Sequence, residues 1–190
     1  MLILFALSEE KVKSKNLMID EYLFRLGEGD RSAMGGLYEL ISEDVFAFAL
    51  SKTCDRELSE DVTHDTFVQL YKNAPLYRSQ GKPLSWIFTV EINIIRRLYQ
   101  QNKRTVSLED HIESLTDEHD FAESMAKSEF VRDLLATLSE EEREIVVLHV
   151  VSGLRHREIA SLLEMPLATV LSKYHRALKK LKAIVKEGDA

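Results

Sequence analysis

The chain has 190 residues, a formal net charge of -7 and a pI of about 5.4, a balance that argues against a general nucleic-acid coating protein. Cys54 is the only cysteine, so an internal disulfide is impossible and a cysteine-based zinc site is disfavoured, which fits a reducing cytosol. Seven glycines and three prolines leave few breakpoints, and strand-like alternation is absent, so the expected fold class is all-α.

The opening Met1 to Leu7 is apolar but far short of the roughly 20 residues that span a bilayer. It has no basic leader before it and no small-residue cleavage site after it, so neither a membrane anchor nor a signal peptide is expected. Patterned sequence begins at Met18, a second candidate start beside Met1. Residues 1–17 are read as an N-terminal extension without fixed fold. Leu17 to Leu26 is a short amphipathic segment that stops at Gly27 and Gly29. Asp30 is placed to cap the next helix, because a carboxylate accepts hydrogen bonds from free first-turn amides. That helix should run to about Ser51 with Met34, Leu37, Tyr38, Ile41, Val45, Phe48 and Ala49 buried. Gly35 and Gly36 lie inside it, each costing about 1 kcal/mol against alanine, and a close neighbour is the expected reason.

A third helix, about Ser59 to Lys72, carries Val62, Phe67, Leu70 and Tyr71 inward and Glu60, Asp61, His64, Asp65 and Gln69 outward. Glu60 and Asp61 are expected in its first turn, where they oppose the positive end of the helix dipole. The stretch from Asn73 to Pro83, punctuated by Pro75, Gly81 and Pro83, is a loop. The fourth helix, Leu84 to Asn102, has Trp86, Ile87, Val90, Ile94, Ile95 and Leu98 as its apolar set and runs into the cations Arg96, Arg97, Lys103 and Arg104. Trp86 beside a turn reads as a core anchor in preference to a stacking platform. For Asn93, among isoleucines, two roles stay open: a hydrogen-bonded interior amide, or one that reads a base edge. Acids then crowd Glu109 to Glu129 with little apolar periodicity, so residues 105–125 are expected to be a flexible acidic linker.

The most restrictive stretch is Gly153 to Lys186. Ile159, Leu162 and Leu163 form an apolar edge beside the small Ala160, and Pro166 interrupts the pattern. A second helix follows with Val170, Tyr174, Ala177, Leu178, Leu181 and Val185 at three- and four-residue steps. Its other face carries Ser172, Lys173, His175, Arg176, Lys179, Lys180 and Lys182. A basic helix behind a short turn suits insertion into a DNA major groove, and a solvated charged helix is the plainer reading. His64, His111, His119, His149, His156 and His175 show no metal spacing, and no phosphate loop or nucleophile motif occurs. The expectation is a non-enzymatic chain without metal or cofactor.

These residues together resemble the extracytoplasmic-function (ECF) sigma factors of the sigma-70 family, small two-domain specificity subunits of bacterial RNA polymerase. The resemblance covers nearly everything after Met18. The first half matches through Gly29-Asp30, Leu37 to Glu39, EDVTHDTF at Glu60 to Phe67 and WIFTVEIN at Trp86 to Asn93. The second matches through LSEEEREIVVL, Gly153-Leu154, Glu158 to Ala160 and MPLATVLSKYHRAL. The domains implied are a region 2-like unit at 18–104 and a region 4-like helix-turn-helix unit at 126–190. The resemblance implies partners: core RNA polymerase through its beta-prime clamp helices and beta flap, promoter DNA, and an anti-sigma factor or regulatory kinase. It implies a cytoplasmic alternative sigma factor that recognises promoters, helps melt them and initiates transcription.

Residue by residue, Glu60, Asp61, His64, Asp65 and Gln69 would form the polymerase-binding face. Tyr77, Arg78, Lys82, Trp86 and Asn93 would form the pocket for a base extruded from the minus-ten element, with Arg96, Arg97, Lys103 and Arg104 on its phosphates. Leu171, Ser172, Lys173, His175, Arg176 and Lys179 would contact the upstream element. The linker is implied to thread toward the active-site cleft. Some positions depart from the family pattern. Leu171 stands where lysine or arginine is common and Lys173 where arginine is, so a bidentate guanine contact is lost at the latter. Glu91 and Ile92 replace small and basic residues, and Leu58 and Ser59 replace the start of an acidic signature. Thr63, beside Glu60 and Asp61, is a candidate phosphorylation site, and a helical threonine without a regulatory role is the plainer reading. Two other functions fit the motifs: an autonomous helix-turn-helix regulator, and a sigma-like polymerase-binding protein without promoter opening.

Overall fold

The computed structural model describes residues 2–105 and 135–188. Among them are seven α-helices and one 3-10 turn, with no strand: α1 (Leu2–Gly27), α2 (Ala33–Thr53), α3 (Arg56–Asn73), η1 (Ala74–Leu76), α4 (Pro83–Thr105), α5 (Glu140–Val150), α6 (His156–Leu162) and α7 (Leu167–Gly188). The all-α expectation holds for these residues. Most of the acidic linker, including Glu109, Asp110, Glu113, His111 and His119, lies outside the described residues.

Helix α1 begins at Leu2, so residues 2–17, expected without fixed fold, continue the helix. No glycine or proline interrupts the chain before Gly27. The segment is also tied down, because Lys15 pairs with the buried Asp44 of α2 and Val12 packs over Gly153. Gly27 ends the helix against the backbone of Ala74 and Pro75, where an added Cβ would sit 3.0 Å from a carbonyl oxygen. Asp30 closes the turn to α2 without being its N-cap: its carboxylate accepts from the Ser32 amide at 3.0 Å and hydroxyl at 2.6 Å and pairs with Arg25 at 2.7 Å. Those hydrogen bonds, Ser32 first and Arg25 second, hold Asp30 at about 2.

Of the paired glycines, only Gly36 is crowded: a Cβ added there would sit 2.5 Å from the Tyr22 ring, whereas one added at Gly35 would meet nothing within 4 Å. Cys54, in the left-handed region at φ 55°, ends α2, and Asp55 caps α3 by accepting from the Leu58 amide at 3.0 Å. Helix α3 therefore starts at Arg56, three residues before the expected Ser59. Its first-turn acid is Glu57, and Glu60 instead pairs with Arg56 one turn on, at 2.9 Å. Tyr38 and Tyr71, expected inward, are exposed, while Val62, Phe67 and Leu70 take the interior.

Helix α2 packs on α1, α3, α4 and also α5. One apolar cluster consequently runs from Leu23, Leu37, Phe48, Leu70 and Ile87 through Ile145, Leu148, Ile159 and Val170, joining the two halves. Burying each such side chain stabilises the chain by roughly 1.5–3 kcal/mol. Polar contacts follow the same seam. Lys52 reaches Glu144 at 2.7 Å and Glu140 at 3.1 Å, the Tyr99 hydroxyl donates to the Lys52 carbonyl at 3.0 Å, and Arg96 lies 3.4 Å from Glu164.

The second half is built on caps. Ser139 and Glu142 form a reciprocal capping box at the start of α5, whose first turn also carries Glu140 and Glu141. Between α6 and α7 the chain turns at Glu164, in the left-handed region at φ 55°, with the Met165 amide donating back to Ala160 at 2.9 Å. The break therefore precedes Pro166, which instead opens α7 by accepting from Thr169 and Val170.

Candidate nucleic-acid interface

Helix α7 is seated by its apolar face. Val170 and Ala177 are fully buried, and Tyr174 lies edge-on to His149 and His156 at 4.9 and 4.7 Å between ring centroids. His149 and His156 lie 4.2 Å apart, and the His149 ring nitrogen Nδ1 meets the Leu154 carbonyl at 2.8 Å. Burial, then His149 and His175, hold His156 below the usual imidazole range. These histidines therefore act as packing for the helix pair.

With that face fixed, Leu171, Ser172, His175, Arg176, Lys179 and Lys182 are exposed along one stripe. His175, Leu178, Lys179, Lys182 and Ala183 line a shallow groove on it. Lys173 is different. It is only 18% exposed and its ammonium pairs with Glu141 of α5. Lys180 likewise pairs with Glu142, at 2.6 Å. Glu142 is held below the usual carboxylate range, first by Lys180 and then by the Ser139 backbone, against an opposing effect of burial.

The α4 surface splits in the same way. Tyr77, expected to receive a base, is buried, its ring 4.7 Å from Trp86, and its hydroxyl donates to Asp20 of α1. Burial and that carboxylate push the phenol well up. Tyr77 and the half-buried Trp86 thus pin the loop to α1, in place of an open stacking pocket. Arg78 donates to its own loop, to the carbonyls of Pro75 at 3.0 Å and Tyr77 at 2.7 Å. Lys82, Asn93, Arg96 and Arg97 are exposed, so Asn93 is no interior amide, and Arg97 leans on the Asn93 carbonyl at 3.2 Å. Lys103 and Arg104 lie near the end of α4, and their side chains are outside the described residues.

Beneath this surface Glu91 is 0% exposed and neither carboxylate oxygen has a hydrogen-bond partner. Burial above all pushes it well above the usual range and Asp44 adds to this, against a weaker opposing pull from the Ala49 backbone. A signal was present in the sequence: Glu91 falls four residues after Ile87 and four before Ile95, on the apolar stripe of α4.

On α3, Asp61, His64 and Asp65 are exposed, Glu60 is engaged by Arg56, and Gln69 accepts from Asn73 at 3.5 Å. Thr63 is 7% exposed and its hydroxyl donates to the Ser59 carbonyl at 2.7 Å. The acidic face expected from the sequence is therefore present around Asp61, His64 and Asp65, with Thr63 beneath it.

Comparison with known proteins agrees with this layout. The family model described as Sigma-70 region 2 matches residues 37–105, and that described as Sigma-70, region 4, matches residues 130–181. The chain is similar to the ECF RNA polymerase sigma factor SigM of Bacillus subtilis, 26% identical over 156 residues, 80% of this chain and 94% of that one. It is similar to EcfG of Rhodopseudomonas palustris, 25% identical across 73% of this chain and 77% of the relative. Among solved structures, CnrH in complex with the cytosolic domain of CnrY superposes with a TM-score of 0.61 at 22% identity, covering 90% of this chain and 98% of CnrH. The sigma factor RpoE with the anti-sigma factor NepR from Bartonella quintana gives 0.61 at 22% identity, over 78% of this chain and 94% of RpoE.

Proposed function

Because the chain belongs to the ECF class of the sigma-70 family, we propose how its surfaces carry out the work of an alternative sigma factor. The chain binds core RNA polymerase and promoter DNA and directs transcription initiation. In this reading the exposed stripe of α7, Leu171, Ser172, His175, Arg176 and Lys179, meets the upstream promoter element. Arg176 can form paired hydrogen bonds to guanine, and Leu171 offers apolar contact to a thymine methyl. The face of α3 around Asp61, His64 and Asp65 meets the basic clamp of the polymerase. Lys82, Asn93, Arg96 and Arg97, with Lys103 and Arg104, track the minus-ten strand, supplying affinity through phosphates and sequence reading through Asn93. The polymerase core carries the chemistry.

One observation supports this most: an exposed basic stripe on the second helix of a helix-turn-helix, in a chain whose other half matches region 2. Run-off transcription tests it. Core polymerase with the purified chain should yield discrete transcripts from promoters that core alone ignores. Specific duplex binding by the chain as a two-fold dimer, with no polymerase-dependent start site, would establish the autonomous regulator instead.

Regulation by an anti-sigma protein or a kinase belongs to the same proposal, as does residence in the cytoplasm; among the described residues no helix is long and apolar enough to cross a membrane. Phosphorylation of Thr63 would add about 1.5 to 2 negative charges next to Glu60 and Asp61. Its hydroxyl is tied to Ser59, so a kinase needs α3 to open locally. Unchanged promoter output in cells carrying Thr63→Ala would dispose of the idea.

A further inference from the structure

Helix α5 begins with Glu140, Glu141 and Glu142, and Glu144 follows two residues later. Acids suit a helix N-terminus, but the dipole and the capping box need no more than Ser139 and one or two carboxylates. Here every acid has a lysine. Glu140 and Glu144 take Lys52 of α2, Glu141 takes Lys173, and Glu142 takes Lys180. The last two lysines belong to α7; Lys173 is only 18% exposed on Glu141, whereas Lys180, though paired with Glu142, stays 46% exposed beside Arg176, Lys179 and Lys182.

We propose that Glu141 is a positioning residue that occupies Lys173 in place of DNA phosphate, withholding that cation from the upstream element. This rests on the reading of α7 as the DNA-facing helix. The carboxylate acts as an internal substitute for the phosphate backbone: an exchange of Lys173 onto DNA leaves Glu141 without its cation beside a polyanion, so the pair persists in the complex. The consequence is a recognition helix that reads mainly through Leu171, Ser172, His175 and Arg176. Lys173 then contributes no charge to the groove.

Counterion release reads this out directly, since each phosphate neutralised adds about 0.9 to the slope of log K against log salt concentration. Holoenzyme is assembled from core polymerase and the full chain. Its binding is measured at low temperature, on unmelted duplex, to a promoter fragment that the wild-type holoenzyme selects from a randomised library and transcribes. Lys173→Met should leave the slope unchanged in the natural chain. Glu141→Gln should steepen it by about 0.9 and raise affinity at low salt. The double variant should return to the wild-type slope. A slope flattened by about 0.9 in Lys173→Met alone overturns the proposal, as does an unchanged slope in Glu141→Gln. The Ser139–Glu142 box keeps the helix start in place in Glu141→Gln, and the Lys173→Met arm decides on its own if that variant assembles poorly. A wild-type holoenzyme that selects nothing refutes the functional reading itself, before any variant is compared.

Discussion

Glu91→Gln isolates the least favourable feature of the core. The native carboxyl is fully buried and without a hydrogen-bond partner, so the folded chain holds its proton more tightly than the unfolded chain, where the ordinary value is 4.5. The native state therefore binds more protons than the unfolded one above that pH, and stability falls as pH rises until the raised native value is reached. Within that window the loss is about 1.4 kcal/mol per pH unit. For a chain of this size 1 kcal/mol moves Tm by about 2–4 °C, so each unit lowers Tm by roughly 3–5 °C. Glutamine keeps the shape and cannot ionise. The assay is thermal unfolding of both proteins from pH 4.5 upward, with groups common to both cancelling in the difference. The variant should gain on the wild type steadily as pH rises. A difference that stays constant from pH 4.5 to 7 would refute the account of a buried, unpartnered acid.

Lys52→Met should cost about 3–5 kcal/mol in urea unfolding, because burial already holds Glu144 above the usual range with its partner present and the substitution strands that acid at the seam. Adding Glu144→Gln should recover most of the loss. Gly35→Ala should stabilise by about 0.5–1 kcal/mol through helix propensity, whereas Gly36→Ala should be less favourable by about 1 kcal/mol or more, since the Tyr22 ring must move. At His156 the sign is opposite to that at Glu91. Its folded value is depressed, so its stabilising effect is present above the ordinary 6.5 and is lost as pH falls below it. Acid unfolding followed near pH 6 should shift less in His156→Phe.

Charge is also shared across the seam between the halves. Lys52 and Arg96 lie on helices of the first half, and Glu140, Glu144 and Glu164 on the second, so either half presents a different charge pattern when separated from the other. Arg96 is both in the proposed minus-ten set and in contact with Glu164, which links the placement of the second half to the first half's free cations. The contact is exposed and long, so its own contribution to stability is small.

The presence of most helices was legible from local periodicity, although their starts were not, as Asp30 and Asp55 show. Apolar steps at Ile87, Ile94 and Ile95 and the short turn before Leu167 depend on contacts within a few residues, and the chain states them openly. The stripe of α7 was legible for the same reason. What could not be read was which side of a polar residue faces inward. Glu91 sits on the apolar stripe, yet its charge argued for solvent. Tyr77 looked available because turns are usually exposed, but Asp20, 57 residues away, accepts its hydroxyl. By itself, then, the sequence determined an all-helical chain with a basic helix behind a short turn, because periodicity and capping are short-range. Tertiary structure alone decided that Lys173 and Lys180 belong to α5, that Thr63 is covered and that the two halves share one core. Those outcomes turn on burial and ion pairs between segments distant in the chain, and no local pattern encodes which carboxylate a lysine will find.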